Sequence, residues 1–416
     1  MQQVQQAQQV RQAWRVGLVG AAMIGVTFGF ARYGYGLFLP EFRREFGLSV
    51  AQVGLIGSAA CVGYVVGPLV VGVLVARIGP RPLVVVGGIC ATVGMAAVAA
   101  ARDSVTLTVG LIVAGAGSGW VWAPYSDVVD RAVPAGSRDR VMGAIATGTA
   151  FAVALAGPMA LLAGGAAWRY AWSGFAVAAL AATVGNLLVL PGGTHRTPVS
   201  GQVPLRIGLF ISRAALPLHF TALFYGLSGA VYWSFAVETV TRHAPAGALT
   251  VPLFWTTMGL SGTAGVLTGW FVGRYGLRRA HTVVFTGIAA AAVLLAAAPG
   301  HTAGVLLSAV LYGCAFMAGS ALLAVWSYQV FPEHPSTGFT AAVFFLGIGT
   351  FTGPALLGLF AERYGLGAAF LLTAAVAAVP LLAPPPRRRS AREVRVAAGE
   401  RVVADEVVAD KASISG

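Results

Sequence analysis

Long apolar runs separated by short polar loops take up nearly the whole chain. A membrane-crossing helix needs about 20 apolar residues. Twelve runs meet that length: 15–39, 50–76, 83–101, 105–129, 141–163, 171–190, 216–238, 250–273, 281–298, 302–330, 339–361 and 367–383. Spans four and ten are long enough to tilt or to end in water. The longest internal polar stretch, Pro191 to Arg213, separates two sets of six. The pattern predicts an all-α membrane protein of twelve transmembrane helices in two pseudo-symmetric six-helix bundles. The first bundle covers 1–190, a linker 191–215, the second bundle 216–383 and a disordered tail 384–416. The N-terminal segment is polar and Gln-rich. The first apolar run is too long for a signal-peptide core, so it is expected to remain as the first helix.

The two halves repeat each other. Gly72-Val-Leu-Val-Ala-Arg77-Ile-Gly79-Pro-Arg81 closes span two, and Gly269-Trp-Phe-Val-Gly-Arg274-Tyr-Gly276-Leu-Arg278 closes span eight, 197 residues later. The same offset of 197 sets Tyr35 on Tyr232, Phe38 on Phe235 and Glu41 on Glu238. Gly157-Pro158 in span five falls on Gly353-Pro354 in span eleven, at an offset of 196. A proline inside a helix removes a backbone bond and bends it, so matched bends are expected in both halves. A duplicated membrane bundle is an architecture of carriers.

Composition narrows the classes. The chain of 416 residues is 57% apolar and 10% charged, with a mean hydropathy of +0.79. A soluble domain carries about 25% charged residues. The net charge of +13 is spread over loops and tail rather than over one face, which argues for a membrane setting and against nucleic acid. With the N-terminus inside, Lys and Arg divide 20 to 6 in favour of the cytoplasmic segments, and 13 to 6 without the tail. That bias puts both termini in the cytoplasm. Cys61, Cys90 and Cys314 lie in apolar runs without metal-type spacing and read as buried spectators. The sequence has no phosphate loop, no Gly-x-Ser-x-Gly, no His-Glu-x-x-His and no Cys-x-x-Cys. An enzyme is therefore disfavoured, no cofactor or metal is called for, and any pump must run on a gradient. A channel is disfavoured because no charged ring or filter motif crosses the two halves.

Twelve spans, the six-plus-six duplication and the Gly-x-x-x-x-Arg-x-Gly-x-Arg loop after spans two and eight together resemble the major facilitator superfamily, over residues 15–383. Phe30-Ala-Arg-Tyr-Gly-Tyr-Gly-Leu-Phe-Leu-Pro-Glu41 is similar to a bacterial branch of it. The resemblance implies a monomeric secondary transporter of the bacterial cytoplasmic membrane. In such a transporter two bundles rock about a central site lined by spans one, four, seven and ten. The superfamily's loop motif usually has an Asp before its first basic residue, where this chain has Ala76 and Gly273. Asp127 and Asp130, ending span four on the same side as Arg77 and Arg81, are the substitutes. Asp130-Arg131…Pro134…Arg138 resembles the acidic-then-basic signature found after span four. Arg77, Gly79, Arg81, Asp127, Asp130, Arg274, Gly276 and Arg278 are thus candidate gating residues that lock the outward-facing state, against a reading as plain positive-inside anchors.

Arg32 is the most informative charge. It lies about 10 Å inside the outer end of span one at 1.5 Å per residue, and a buried arginine in a span is costly and usually functional. Gly25, Gly29 and Gly36 form a small-residue stripe beside it. Three readings stay open: a ligand for a carboxylate or phosphate, a structural pair with Glu238 or Glu41, and a snorkelling side chain. Glu238, at the outer end of span seven, is a candidate gate. Tyr35, Trp120, Tyr232 and Trp326 are candidates for an aromatic cavity wall beside Arg32, with Trp122, Tyr225, Trp233 and Tyr328 on the same spans. Trp120 and Trp122 point about 200° apart on a helix, so one of the two at most faces a cavity. No Asp or Glu falls at the middle of a span, which leaves a coupling proton or ion unassigned. His219 reads as a spectator. The predicted substrate is a small organic molecule, with Arg32 favouring an anion; a multidrug or hydrophobic-compound exporter of the same fold is the alternative.

Overall fold

The computed structural model describes residues 2–162, 167–193, 212–243, 249–332 and 335–386. All regular elements among them are helical. Ten helices are long and apolar enough to cross a membrane. Span 1 is Val10–Arg32, span 2 runs from Val50 through Ile78, span 3 is Pro80–Ala100 and span 4 is Ser104–Ala132. Spans 5, 6 and 7 are Arg138–Leu162, Trp168–Val189 and Leu216–His243. Spans 9, 10 and 11 are Leu277–Ala297, Thr302–Val330 and Pro335–Tyr364. Two further segments complete the twelve. Span 8 is broken into Thr250–Gly262, a 3-10 stretch Thr263–Leu267 and Thr268–Tyr275. Span 12 joins Leu366–Ala378 to a 3-10 turn Val379–Leu382. Most of the expected linker and tail lies outside the described residues.

Local chemistry sets several boundaries. Span 4 starts where the Asp103 side chain accepts from the Thr106 backbone N–H at 2.8 Å, and span 2 starts at a capping box between Ser49 and Gln52. Each removes orphan donors at a helix start. The duplicated loops turn at Gly79 (φ 79°, ψ 171°) and Gly276 (φ 85°, ψ 156°). That region is essentially closed to residues with a Cβ, which is why glycine recurs there after 197 residues.

Span 1 departs most from the pattern. Its α-helix ends at Ile24, and Gly25–Arg32 is π-helical. Short helices Gly34–Leu37 and Leu39–Phe46 follow. The wider turn re-aims the side chains after it, so the expected stripe does not share one face. Gly25 and Gly29 pack on Gly148, Thr149 and Ala152 of span 5, whereas Gly36 faces Trp233 of span 7.

The two bundles meet mainly at one end of the molecule, called here the Glu238 end. Span 11 packs on the first half of span 2, and the first part of span 8 packs on span 5. Contact there is backbone-close. A Cβ on Gly36 would clash with the Trp233 carbonyl, so only glycine admits this approach. Polar groups also cross: the Ala355 N–H donates to Ser58 Oγ at 2.9 Å, and the Ala51 N–H to Glu362 Oε2 at 3.0 Å. At the opposite, Arg81 end the second half of span 2 keeps only marginal contact with span 11.

Candidate substrate site

Arg32 closes the π-helical turn, where the Tyr33 N–H reaches back five residues to the Phe28 carbonyl at 3.0 Å. Such turns recur at functional sites. The guanidinium carbon lies 3.7 Å from the centre of the Tyr64 ring, 5.4 Å from that of Tyr33 and 5.7 Å from that of Phe28. Contacts of this kind contribute roughly 0.5–2 kcal/mol each at the desolvated limit. They hold the cation but do not neutralise it. None of the ion pairs among the described residues involves Arg32. The side chain is enclosed by protein at depth yet only half-buried, so part of it stays accessible.

An aromatic belt runs from this cation across both bundles. Phe28 meets Trp122 of span 4 edge-on at 6.2 Å. Tyr33 stacks on Trp233 of span 7 at 4.1 Å, and Phe316 of span 10 stands edge-on to both, at 6.3 and 5.6 Å. Phe316 in turn stacks on Tyr225 at 4.8 Å. Cys61 of span 2 sits beside Arg32 and reaches Thr350 of span 11.

The structure brings some candidates to this point and takes others away. Trp122, not Trp120, joins the belt; Trp120 lies towards Gly87 of span 3. The Tyr35 hydroxyl donates to the Val53 carbonyl at 2.6 Å, away from Arg32. Tyr232 stacks on Tyr312 at 3.6 Å and bonds Ser308 at 2.6 Å inside the second bundle. Trp326 is buried edge-on to His281 of span 9 at 5.8 Å. Tyr328 is exposed, and His219 stacks on Phe345 at 4.5 Å. Phe28, Tyr33, Tyr64 and Phe316 were not singled out from the sequence. The doublet Arg32-Tyr33 was the available signal, masked by the assumption of a regular helix.

Glu238 is the centre of the charge cluster at its end. It accepts from Arg43 of the Leu39–Phe46 helix, across the bundles, and from Arg242 one turn on at 2.8 Å. Glu41, its partner in the duplication, has Oε2 buried without a hydrogen bond. Burial first, and then the Glu238 charge, push the Glu41 carboxyl above the usual carboxylate range, with Arg44 opposing. Neither acid touches Arg32. At the Arg81 end the candidate gating charges stay within the first bundle. Asp130 pairs with Arg138 at 3.0 Å, Arg81 donates to the Leu187 carbonyl, and Arg131 donates to the Gly193 carbonyl at 3.3 Å. Asp127 is half-buried, with Arg131 and Asp130 as its charged neighbours, and Arg77, Arg274 and Arg278 are exposed.

Comparison with known proteins bears on the family and the fold. A family model described as "Uncharacterised MFS-type transporter YbfB" matches residues 24–383. Monocarboxylate transporter 11 of Homo sapiens is 33% identical over 209 residues, which is 48% of this chain and 44% of that protein. Monocarboxylate transporter 13 of Rattus norvegicus is 34% identical over 109 residues, 26% of this chain and 24% of that protein. The matches thus span less than half the length of these relatives. Among solved structures, the nucleoside transporter NupG superposes with a TM-score of 0.71 at 14% identity, covering 89% of this chain and 98% of that one. The xylose transporter XylE from E. coli, in a partially occluded inward-open conformation, gives 0.70 at 15% identity, covering 89% and 97%. At these identities the structures speak to the fold alone.

Proposed function

The chain belongs to the MFS-type transporter family YbfB, and from that premise we propose that it is a secondary transporter of a small organic anion, with Arg32 as the anion's ligand. One observation carries the reading: a deeply placed arginine with rings on its faces and, among the described residues, no carboxylate partner. A lone cation in a membrane interior is expensive, and a substrate carboxylate completes the pair by a bidentate bond. The partial likeness to monocarboxylate transporters supports the same charge.

The positive-inside bias assigns the Arg81 end to the cytoplasm. The structure is then the inward-facing member of an alternating pair, closed outside by Glu238, Arg43 and the Tyr33–Trp233 stack. Arg77, Arg81, Asp127 and Asp130, with Arg274 and Arg278, belong in this reading to the closure that forms when the other end opens. The bacterial cytoplasmic membrane is the expected location.

The belt of rings also suits hydrophobic drugs, which keeps an exporter as the second reading. Ligand-induced stabilisation of the purified protein separates the two. A ligand at 100 times its Kd adds about 2.7 kcal/mol to apparent stability. The anion reading expects carboxylates to raise the Tm of the wild type and not of Arg32→Ala. Hydrophobic cations that stabilise both proteins equally would make Arg32 structural and favour the exporter.

A further inference from the structure

We propose that the substrate is a flat, hydroxyl-poor monoanion, an aryl or heteroaryl monocarboxylate, its carboxylate on Arg32 and its ring against the half-buried Phe28 and Trp122. This rests on the anion reading and specifies the rest of the ligand.

The charge of the ligand follows from what surrounds Arg32. Other basic residues of the described spans sit near the span ends, so a dianion would leave one charge unpaired at low dielectric. A zwitterion such as an amino acid needs an acid for its ammonium. Glu238 is engaged by Arg43 and Arg242, and Glu41 lies on the helix beyond the Tyr33–Trp233 stack. Asp127 is five residues past Trp122 on span 4, about 7.5 Å further along the axis. A single negative charge is what remains.

The apolar character follows from the polar inventory. The whole chain has one asparagine, Asn186. It is committed, donating to the Val19 and Ala182 carbonyls at 2.9 and 2.8 Å and accepting from the Tyr125 hydroxyl at 2.6 Å. Beyond the N-terminal segment the glutamines are Gln52, Gln202 and Gln329. Gln52 serves a helix cap, Gln329 is exposed at the end of span 10, and Gln202 lies outside the described residues. Among the described residues, no carboxamide is therefore available at Arg32 to grip hydroxyls. Two phenols nearby are also spent: Tyr225 donates to the Phe316 carbonyl and Tyr312 to the Gly229 carbonyl at 2.9 Å, which leaves those of Tyr33 and Tyr64 beside the Arg32 guanidinium. Two phenols do not meet the several hydroxyls of a sugar or nucleoside, and each hydroxyl buried unmet is unfavourable by about 1–3 kcal/mol. Ring faces and edges are what the site offers in quantity, and they favour an offset or edge-on aromatic guest.

Isothermal titration calorimetry on the purified full-length protein tests this, with benzoate, lactate, phenylalanine, uridine and benzylamine as probes. Benzoate is expected to bind at least about tenfold more tightly than lactate, with no heat from phenylalanine or uridine. Trp122→Leu should weaken benzoate about three- to tenfold and lactate by less, whereas Phe28→Leu, which also takes a ring from Arg32, should weaken both. Equal binding of lactate and benzoate, or equal loss of both in Trp122→Leu, overturns the aryl assignment while the anion reading stands. If benzoate fails and lactate binds, the outcome is the same. If benzylamine or uridine alone binds, the anion reading falls with it.

Discussion

Replacing Gly36 by alanine should open the Glu238 end while leaving each bundle folded. A methyl on Gly36 would sit 2.9 Å from the Trp233 carbonyl carbon and 3.4 Å from the Ser234 Cα, and well inside contact with the carbonyl oxygen. Carbon pairs settle at about 3.5–4.0 Å and carbon–oxygen contacts at about 3.3 Å, so the Gly34–Leu37 helix and span 7 would have to part by about 1.5 Å. No rotamer can absorb this, because a methyl meets backbone. The clash lies between bundles, so the internal packing of neither is touched. Two contacts depend on the approach. The Tyr33–Trp233 stack contributes about 0.5–1.5 kcal/mol. The Arg43–Glu238 pair contributes about 1–2 kcal/mol, since Arg43 is partly exposed and Arg242 stays with Glu238. Together they are worth roughly 1.5–3.5 kcal/mol, which shifts the closed-to-open ratio at that end about 10- to 300-fold. Spin labels on cysteines placed at the exposed positions Arg102 and Ala303 report the span between bundles by double electron–electron resonance. A longer distance in Gly36→Ala is expected. An unchanged distance distribution would refute the claim that this contact holds the end shut.

Other outcomes follow from the same geometry. The Glu41 carboxyl, with Arg44 and the Arg43- and Arg242-paired Glu238 as its charged neighbours, is raised by burial in the closed conformation and relaxes towards an ordinary glutamate once hydrated. The closed form then binds more protons. Closure at the Glu238 end should grow as pH falls through the raised value towards the ordinary one, and weaken above it; label distances between about pH 4 and pH 8 should show this in the wild type and not in Glu41→Gln. Asn186→Leu strands the buried Tyr125 hydroxyl. It should destabilise the protein by about 1–3 kcal/mol in thermal unfolding, with no change in the label distance because the bonds lie inside one bundle. Arg81→Glu should enrich the conformation described here, because among the described residues Arg81 bonds within the first bundle, to the Leu187 carbonyl, and is assigned to the opposite closure. Unchanged distances and transport would remove Arg81 from that gate.

The spans were legible because their signal is additive: twenty apolar residues outweigh any local irregularity. The duplicated loop was legible because Gly79 and Gly276 occupy backbone conformations that only glycine takes. Side-chain direction was a different matter. A regular helix through residue 39 aims Tyr35 and the stripe of Gly25, Gly29 and Gly36 one way; the π-helical Gly25–Arg32 re-aims everything beyond it. Tyr33 thereby replaces Tyr35 at the site. The choice between Trp120 and Trp122 depends on how span 4 is rotated against span 1, which no periodicity within span 4 records. Tyr64 was missed because span 2 was not expected to reach the centre. The Glu41 and Glu238 correspondence was visible as a repeat, but Arg43 as the partner of Glu238 was not, since ion pairs between bundles leave no trace in sequence spacing.

Counterflow of radiolabelled benzoate into proteoliposomes holding the purified protein is the most direct test of Arg32 as the anion ligand of a carrier. Saturable uptake, accelerated by unlabelled benzoate inside and abolished in a folded Arg32→Gln protein, is the expected result. Uptake that survives Arg32→Gln at the wild-type rate, or failure of both benzoate and lactate to exceed empty vesicles, would contradict it.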